Sequence, residues 1–309
     1  MKYAKPRLLL STCLGVAPVR YDGNVIFDQN VEKLKKHVEL FIVCPEMGIG
    51  LGTPRNPLAL IKRPEGVRLV DTVKGADYTD QLSSFSENFI KSIPEVDGIL
   101  LKSSSPSCGV RDAKLYDQSR RVLGKRDGLF TAALREHFKY LSIESEKRLV
   151  NSEVRRDFYT KIFTIAYIRE GLEKSARPDD LVELHRSLKY LLMLYHPGVL
   201  KELGRMVARR SEADIEELKG EYRAKALKAL CRRPSNNSYL SVFLHIYGRL
   251  REKLVEEERR YVLKLLEDLK TGRSEVRALL VYFKGFIHRF GNAYLAEQRF
   301  LQPYPEELE

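Results

Sequence analysis

Three short apolar runs, each followed within a few residues by a cysteine, constrain the fold of this chain most strongly. The runs are residues 7–12 (RLLLST) before Cys13, 40–43 (LFIV) before Cys44, and 98–102 (GILLK), with a Ser/Pro turn, before Cys108. Apolar runs of this length without alternation are typical of strands in a parallel sheet that is buried on both faces. We therefore predict that three distant segments lie side by side in one sheet.

The segments between these runs predict an α/β fold. Helical patterns at 31–38, 78–93 and 127–138 alternate with the strands, and two further strands are predicted at 67–70 and 140–143. Residues 45–66 hold four prolines and four glycines, which predicts an ordered loop without regular structure. The N-terminal half is therefore predicted to be an α/β domain with a parallel, doubly wound, Rossmann-like sheet.

From about residue 146 the sequence changes to apolar residues at helical spacing, which predicts an all-α half. Pro178, Pro197, Pro234 and Gly272 mark breaks between the helices. The predicted helices cover 146–173, 179–194, 199–209, 213–229, 239–270, 274–290 and 293–300. A chain of 309 residues exceeds one typical domain. We predict two domains, residues 1–145 and 146–309, with the boundary at 145–148.

The charge of the chain favours a polyanionic partner. Lys and Arg number 54 against 42 Asp and Glu, a net charge of +12 that is spread over both halves. Pairs of arginines at 155–156, 209–210, 232–233 and 259–260 in the second half either neutralise RNA phosphates or form solvated helix faces. No run approaches the ~20 uncharged apolar residues of a membrane span, so we expect a soluble cytoplasmic protein without a membrane partner.

The cysteines are the best candidates for a metal centre. In parallel sheets the carboxyl ends of the strands share one edge, where ligands bind, so Cys13, Cys44 and Cys108 are expected to converge. Three thiolates without a nearby His suit an iron–sulfur cluster with an open position, and a catalytic zinc site with water is the alternative. Cys231 and the histidines 185, 196, 245 and 288 are interpreted as ordinary core or surface residues.

Five motifs give the chain a specific resemblance. They are 11–15 (STCLG), 20–23 (RYDG), 44–46 (CPE), 50–55 (GLGTPR) and 102–109 (KSSSPSCG). In this order, through residues 7–143, they resemble the thiouracil desulfidase (TudS) family. In the second half, 184–190 (LHRSLKY), 244–245 (LH) and 302–305 (QPYP) resemble the helical domain that is fused to TudS in RudS-type proteins.

The resemblance implies a 4Fe-4S cluster on Cys13, Cys44 and Cys108, whose fourth iron has no protein ligand and binds the substrate sulfur. The family removes sulfur from thiolated pyrimidines without net redox change. Many members carry a further cysteine where this chain has Val19, a departure that fits an open iron. By position, Glu46 matches the family's acid/base carboxylate. The alternative for Glu46 is a loop carboxylate that pairs with an arginine.

The remaining candidates flank these motifs. Ser105 matches the family's catalytic serine, although Ser before Pro is also common in turns. Arg20, Tyr21 and Asp22 are expected to bind the pyrimidine or phosphate, or to form a turn closed by a glycine. Arg55, with two nearby glycines, resembles a phosphate cradle. Lys102 either steers an anionic substrate or solvates a strand end.

The leading functional hypothesis is a desulfidase that converts thiouridine, chiefly 4-thiouridine in tRNA or as the nucleoside, to uridine with release of hydrosulfide. Three alternatives remain open at this point. The first is a desulfidase for the free base thiouracil, and the second is a zinc hydrolase. The third is a non-catalytic RNA-binding or redox-sensing iron–sulfur protein.

Overall fold

The computed structural model describes residues 2–209 and 214–309 and divides the chain into two compact units. One unit comprises Met1–Ala166 with Tyr304–Glu309, and the other comprises Tyr167–Pro303. The predicted start of a helix at residue 213 and the second arginine of the 209–210 pair lie outside the described residues.

The first unit alternates strands and helices. Its strands are β1 (Arg7–Ser11), β2 (Glu39–Val43), β3 (Leu58–Arg63), β4 (Gly66–Asp71), β5 (Gly98–Leu101), β6 (Ala113–Tyr116), β7 (Val122–Arg126) and β8 (Ile143–Ser145). Its helices are α1 (Gln29–Lys35), α2 (Pro45–Gly48), α3 (Thr79–Ser92) and α4 (Leu129–His137), and α5 (Ser152–Lys174) begins in it. The strands form two four-stranded sheets.

The first sheet has the predicted parallel, doubly wound form. Its strand order is β2-β1-β5-β8, and all three pairings are parallel. Leu8, Leu10 and Leu100 pack with α1 and α5 on one face, whereas Leu9 and Ile99 pack with α3 and α4 on the other. Helices therefore cover both faces, which explains why the strands are apolar without alternation.

A second sheet corrects the prediction for residues 45–66. Its order is β4-β3-β6-β7, with β3 antiparallel to β4, β3 parallel to β6, and β6 antiparallel to β7. The prediction of no regular structure was wrong for α2 and for β3, because the prolines flank β3 rather than interrupt it. The strand predicted at 67–70 exists as β4 but belongs to this second sheet. Strands β6 and β7 were not predicted.

Other boundaries differ by a few residues. The last strand of the first sheet starts at Ile143, three residues later than predicted. The helix predicted from residue 146 begins with a 3-10 segment, Glu146–Val150, and the α-helix starts only at Ser152. The side chain of Asn151 accepts hydrogen bonds from the amides of Glu153 and Val154, so Asn151 caps the N-terminus of α5.

The second unit is all-helical, as predicted. After the end of α5 it contains α6 (Pro178–Tyr195), α7 (Pro197–Ala208), α8 (Ile215–Leu230), α9 (Asn236–Leu250), α10 (Glu256–Lys270), α11 (Val276–Phe290) and α12 (Ala293–Ala296). The single helix predicted over 239–270 was wrong, because Val255 is extended and its amide donates to the Glu258 carboxylate, which starts a new helix. The helix predicted to reach residue 300 ends at Ala296.

No helix in the described ranges combines the length and the apolar character that crossing a bilayer requires.

Candidate active site and metal centre

A cavity of about 430 Å³ lies at the carboxyl edge of the first sheet. Residues that follow β1, β2 and β5 line it, as expected for the ligand-binding edge of a parallel sheet. Nine of the ten predicted site residues contribute to its wall: Cys13, Arg20, Tyr21, Cys44, Glu46, Arg55, Lys102, Ser105 and Cys108. Asp22 does not line the cavity.

The three thiols of the cavity interact electrostatically. Burial, with the neighbouring Cys44, raises the pKa of Cys13 to about 12. Burial also raises the pKa of Cys108 far above its usual value, and Cys13, Glu46 and Cys44 add to this effect. For Cys44 burial is the main cause of a raised pKa. Three thiolates therefore need a positive centre among them, which a bound metal provides.

The kind of metal centre decides how far apart its thiolate ligands lie. Within residues 2–209 and 214–309, no three His, Cys, Asp or Glu side chains gather closely enough to hold one metal ion. A single zinc ion requires its sulfur ligands at about 2.3 Å from one centre. In a cubane cluster each thiolate binds a different iron, so its ligands lie farther apart. Cys13, Cys44 and Cys108 all line one cavity.

Glu46 is the carboxylate of this cavity, and Arg55 holds it in place. Cys44 immediately precedes α2, and Glu46 lies in the first turn of that helix and is only 9% exposed. Arg55 Nε and Nη2 donate to Glu46 Oε2 at 2.9 and 2.6 Å, and Arg55 Nη1 donates to the Val19 carbonyl at 3.0 Å. Glu46 therefore has the arginine partner that one interpretation predicted, and it also lines the cavity.

Two serines contact the other oxygen of Glu46. Ser107 Oγ donates to Glu46 Oε1 at 2.9 Å, and Ser105 Oγ lies 3.5 Å from the same atom. Ser105 Oγ also accepts hydrogen bonds from the amides of Ser107 and Cys108, at 3.2 and 3.1 Å. Ser105 thus has the turn geometry expected of Ser before Pro and also lies next to the carboxylate. Ser107 was not among the predicted site residues.

The N-terminus of α4 holds the loop that carries Cys108. The amides of Leu129 and Phe130 donate to the carbonyls of Pro106 and Ser107, at 3.1 and 3.0 Å. Gly128 makes this approach possible, since a Cβ there would lie 2.4 Å from the Ser107 carbonyl oxygen. The glycine before α4 was therefore a signal for the site that the sequence analysis did not use.

Lys102 is bound to a buried carboxylate that the sequence analysis missed. Its Nζ donates to Glu146 Oε1 at 2.9 Å, and to the carbonyl and hydroxyl oxygens of Ser103 at 2.7 and 2.9 Å. Glu146, 3% exposed, also accepts from the Ser103 amide at 2.8 Å. These contacts stabilise the start of the loop that carries Cys108. The pairing spans 44 residues, so no local pattern indicates it.

The segment after Cys13 forms a turn at the mouth of the cavity. Gly23, with φ of +73°, donates its amide to the Arg20 carbonyl, and Asp22 forms an ion pair with Arg20 at 3.2 Å. The Arg20 guanidinium lies over the ring of Tyr21, 5.5 Å from its centroid, and Tyr21 is 43% exposed. Arg20 and Tyr21 therefore face the cavity, while Asp22 supports the turn.

Comparisons with known proteins agree with these features. The sequence model of the 2-thiouracil desulfurase family matches residues 8–146, and that of DUF1722, a family of unknown function, matches residues 189–305. YbbK of Bacillus subtilis (strain 168), an uncharacterized protein, is 29% identical over 109 residues, which are 33% of this chain and 72% of YbbK. YbgA of Escherichia coli (strain K12), also uncharacterized, is 20% identical over 149 residues, 48% of this chain and 88% of YbgA.

The solved structure of the [4Fe-4S]-dependent thiouracil desulfidase TudS is similar to this chain, with 30% sequence identity and a TM-score of 0.38. The match covers 47% of this chain and 93% of the TudS chain. The range matched by the desulfurase model contains the three cavity cysteines, Glu46 and Ser105. Through residues 8–146, joined to a DUF1722 region, this chain belongs to the 2-thiouracil desulfurase (TudS) family.

Proposed function

We propose that the protein is an iron–sulfur-dependent, non-redox desulfidase for thiolated uracil or uridine, and that its main substrate is 4-thiouridine, in tRNA or as the nucleoside. The observation that carries this proposal is the convergence of three cysteines, Glu46 and Ser105 on one cavity. Membership of the 2-thiouracil desulfurase family supports the same reaction class. Exchange of C=S and water for C=O and hydrogen sulfide balances without an oxidant or reductant.

The proposed cofactor is a 4Fe-4S cluster held by Cys13, Cys44 and Cys108, and the TudS relative is named for such a cluster. When bound through three protein ligands, the cluster supplies an iron with an open position, a Lewis acid that suits the soft sulfur of a thiocarbonyl. Val19, which also lines the cavity, offers no fourth thiolate.

In the proposed reaction Glu46 moves the proton. Arg55 fixes Oε2, so Oε1 is the oxygen that lies beside both serines. Glu46 Oε1 takes the proton of the water that attacks the thiocarbonyl carbon and returns it to the departing sulfur or to the ring. General acid–base catalysis of this kind typically contributes ~10²–10⁴-fold. Ser105, 3.5 Å from that oxygen, positions the water or the base.

The net charge of +12 supports an RNA-linked form of the substrate. The arginine pairs of the second half give less support to an RNA-linked substrate, because several of these side chains have protein partners. Arg259 and Arg260 form ion pairs with Glu256 and Glu257, at 3.9 and 3.5 Å. These ion pairs match the alternative interpretation of the arginine pairs, in which they form solvated helix faces. A base inside a folded RNA must also leave its stack to reach the cavity.

The test is anaerobic purification with iron, zinc and acid-labile sulfide analysis, followed by sulfide release assays with 2-thiouracil, 4-thiouridine and thiolated tRNA. We expect about four irons per chain, with sulfide release that needs no added electron donor. Cys108→Ser should lose both cluster and turnover. Zinc without acid-labile sulfide, or an intact cluster that releases sulfide from none of the three substrates, would refute the proposal.

A further inference from the structure

A second groove lies on the second sheet, next to the cavity that holds the cysteines. It measures about 870 Å³ and is lined by residues of β3, β4 and β6 and of the turns beside them. Pro57 and Leu58 line both this groove and the cavity that holds the cysteines. The two spaces are therefore adjacent, and a molecule longer than one pyrimidine that occupies the cavity would lie beside the groove.

The alternation of side chains in β3 explains why this face of the sheet is open. Leu60 is fully buried and packs with Leu69 and with Leu82 of α3 on the inner face. Its neighbours Ala59 and Ile61 point the other way and line the groove. Tyr116 pairs with Ile61 across β3 and β6, so an aromatic ring and an aliphatic side chain form the floor of the groove.

Lysines lie on the hairpin beside this floor and on the groove wall. Lys114 lies two residues before Tyr116, hence on the same face, and is paired directly with Lys125 of β7. Like charges opposite each other on neighbouring strands are destabilising. For these two lysines the structure gives no ion pair among the residues it describes. Lys74 on the groove wall, by contrast, interacts electrostatically with Asp71, which also lines the groove. An anion bound between Lys114 and Lys125 would offset their repulsion.

The whole β6–β7 hairpin is basic. Residues 111–126 contain six Lys or Arg and two Asp, and Arg120 lies at the rim of the groove. Positively charged side chains and an accessible aromatic ring, here the half-buried Tyr116 that lines the groove, are the two features with which protein surfaces bind single-stranded nucleic acid, through phosphates and base stacking. The arginine pair at 259–260, by contrast, has glutamate partners.

We propose that the outer face of the second sheet binds the single-stranded RNA segment that carries the thiolated base. Lys114 and Lys125 contact phosphates, Tyr116 stacks on a neighbouring base, and the thiolated base enters the cavity past Pro57 and Leu58. The inference rests on the proposed desulfidase function and adds to it the surface that recognises the polymer. It places RNA recognition on the same unit as the cysteines.

The experiment compares Lys114→Gln/Lys125→Gln with the matched pair Lys33→Gln/Lys36→Gln, two exposed lysines of the α1 region with the same total charge. Binding of the cluster-loaded full chain to a fluorescein-labelled 12-nucleotide uridine RNA is measured by anisotropy between 50 and 200 mM salt. For the groove variant we expect about a tenfold higher Kd, and a log Kd–log salt slope that is less steep by about 1.4, at ~0.7 for each phosphate lost. The α1 variant should stay within twofold of wild type.

A catalytic readout separates this inference from the proposed function. The ratio of kcat/KM on a 4-thiouridine-containing RNA to kcat/KM on the free nucleoside should fall about tenfold in the groove variant. Tyr116→Leu should weaken RNA binding at least fivefold with an unchanged salt slope. Equal RNA binding by the groove variant and wild type would overturn the inference. If the wild type releases sulfide from none of the substrates, the proposed desulfidase function is refuted. The binding measurement would still show whether the outer face of the second sheet binds RNA.

Discussion

Glu46 is the residue whose replacement tests the proposed chemistry most directly. Glu46→Gln keeps the shape of the side chain and a hydrogen-bond acceptor for Arg55, but it removes the basic oxygen beside the two serines. We expect kcat to fall by ~10²–10⁴-fold, with the iron content unchanged, because Glu46 is not a proposed ligand. The measurement is sulfide release together with iron analysis on the same sample.

The control is Glu39→Gln, a carboxylate that is exposed and pairs with Arg7 at 3.5 Å. It should retain wild-type turnover. Full activity of Glu46→Gln would remove Glu46 from the mechanism, and loss of iron in this variant would assign it to cluster assembly instead.

At the residue level, sequence reasoning found the side chains that follow strands and missed those defined by long-range contacts. Cys13, Cys44 and Cys108 were placed at one edge because each follows an apolar run, and the structure brings them to one cavity. Glu146 and Ser107 were missed, because their roles depend on partners 44 and 61 residues away. No local pattern encodes such a pairing.

The same distinction holds for secondary-structure elements. The first sheet was predictable, since strands buried on both faces are continuously apolar. The second sheet was only partly predictable, because its strands are half exposed and therefore lack a continuous apolar run. Strand β7 carries Gly124, Lys125 and Arg126, a composition that is unusual for a strand. Its pairing with β6 is decided by tertiary structure rather than by local preference.

The packing of α6 against α8 predicts a pH dependence of stability. Burial, and then the charge of Lys189, lowers the pKa of His185 from 6.5 to about 4, and His185 Nδ1 lies 3.3 Å from the buried Tyr222 hydroxyl. The folded state thus favours neutral His185, whereas the unfolded chain takes up a proton near pH 6.5. Neutral His185 therefore contributes roughly 3 kcal/mol to the free energy of unfolding above pH 6.5, and this contribution is lost as the pH falls towards 4.

Urea unfolding followed by circular dichroism at pH 7, 5.5 and 4 measures this effect. In His185→Gln the loss of stability between pH 7 and pH 4 should be smaller than in wild type. His245→Gln replaces an exposed histidine of α9 and should keep the wild-type pH dependence. Identical pH profiles for His185→Gln and wild type would show that His185 does not contribute this dependence.

At the scale of the whole molecule, residues distant in sequence complete the unit that holds the cysteines. Residues 304–309 belong to the first unit, although residues 167–303 form the second. Tyr304 packs edge-on against Tyr159 of α5, with ring centroids 5.6 Å apart, and Leu308 joins the same core as Leu8 of β1. The stability of the cysteine site thus depends on side chains that the second half of the chain supplies.

Leu308→Ala tests this dependence. Leu308 is 3% exposed, so its truncation leaves a cavity in the core beneath β1 and should cost ~2–5 kcal/mol of unfolding free energy. Val281→Ala, at a side chain of the second unit that is 61% exposed, should change stability by less than ~0.5 kcal/mol. The readout for the first unit is the reaction of buried Cys13 and Cys108 with a thiol reagent as urea is raised, in protein without the cluster.

Cys231 is exposed and should react before any unfolding, so it serves as an internal reference for the reagent. In Leu308→Ala, Cys13 and Cys108 should become reactive at a lower urea concentration than in wild type, because the helices that cover β1 lose a packing partner. If their reactivity is unchanged while the second unit is destabilised, residues 304–309 stabilise the second unit rather than the first. An unchanged urea midpoint for both units would show that the cysteine site is stable without this contact.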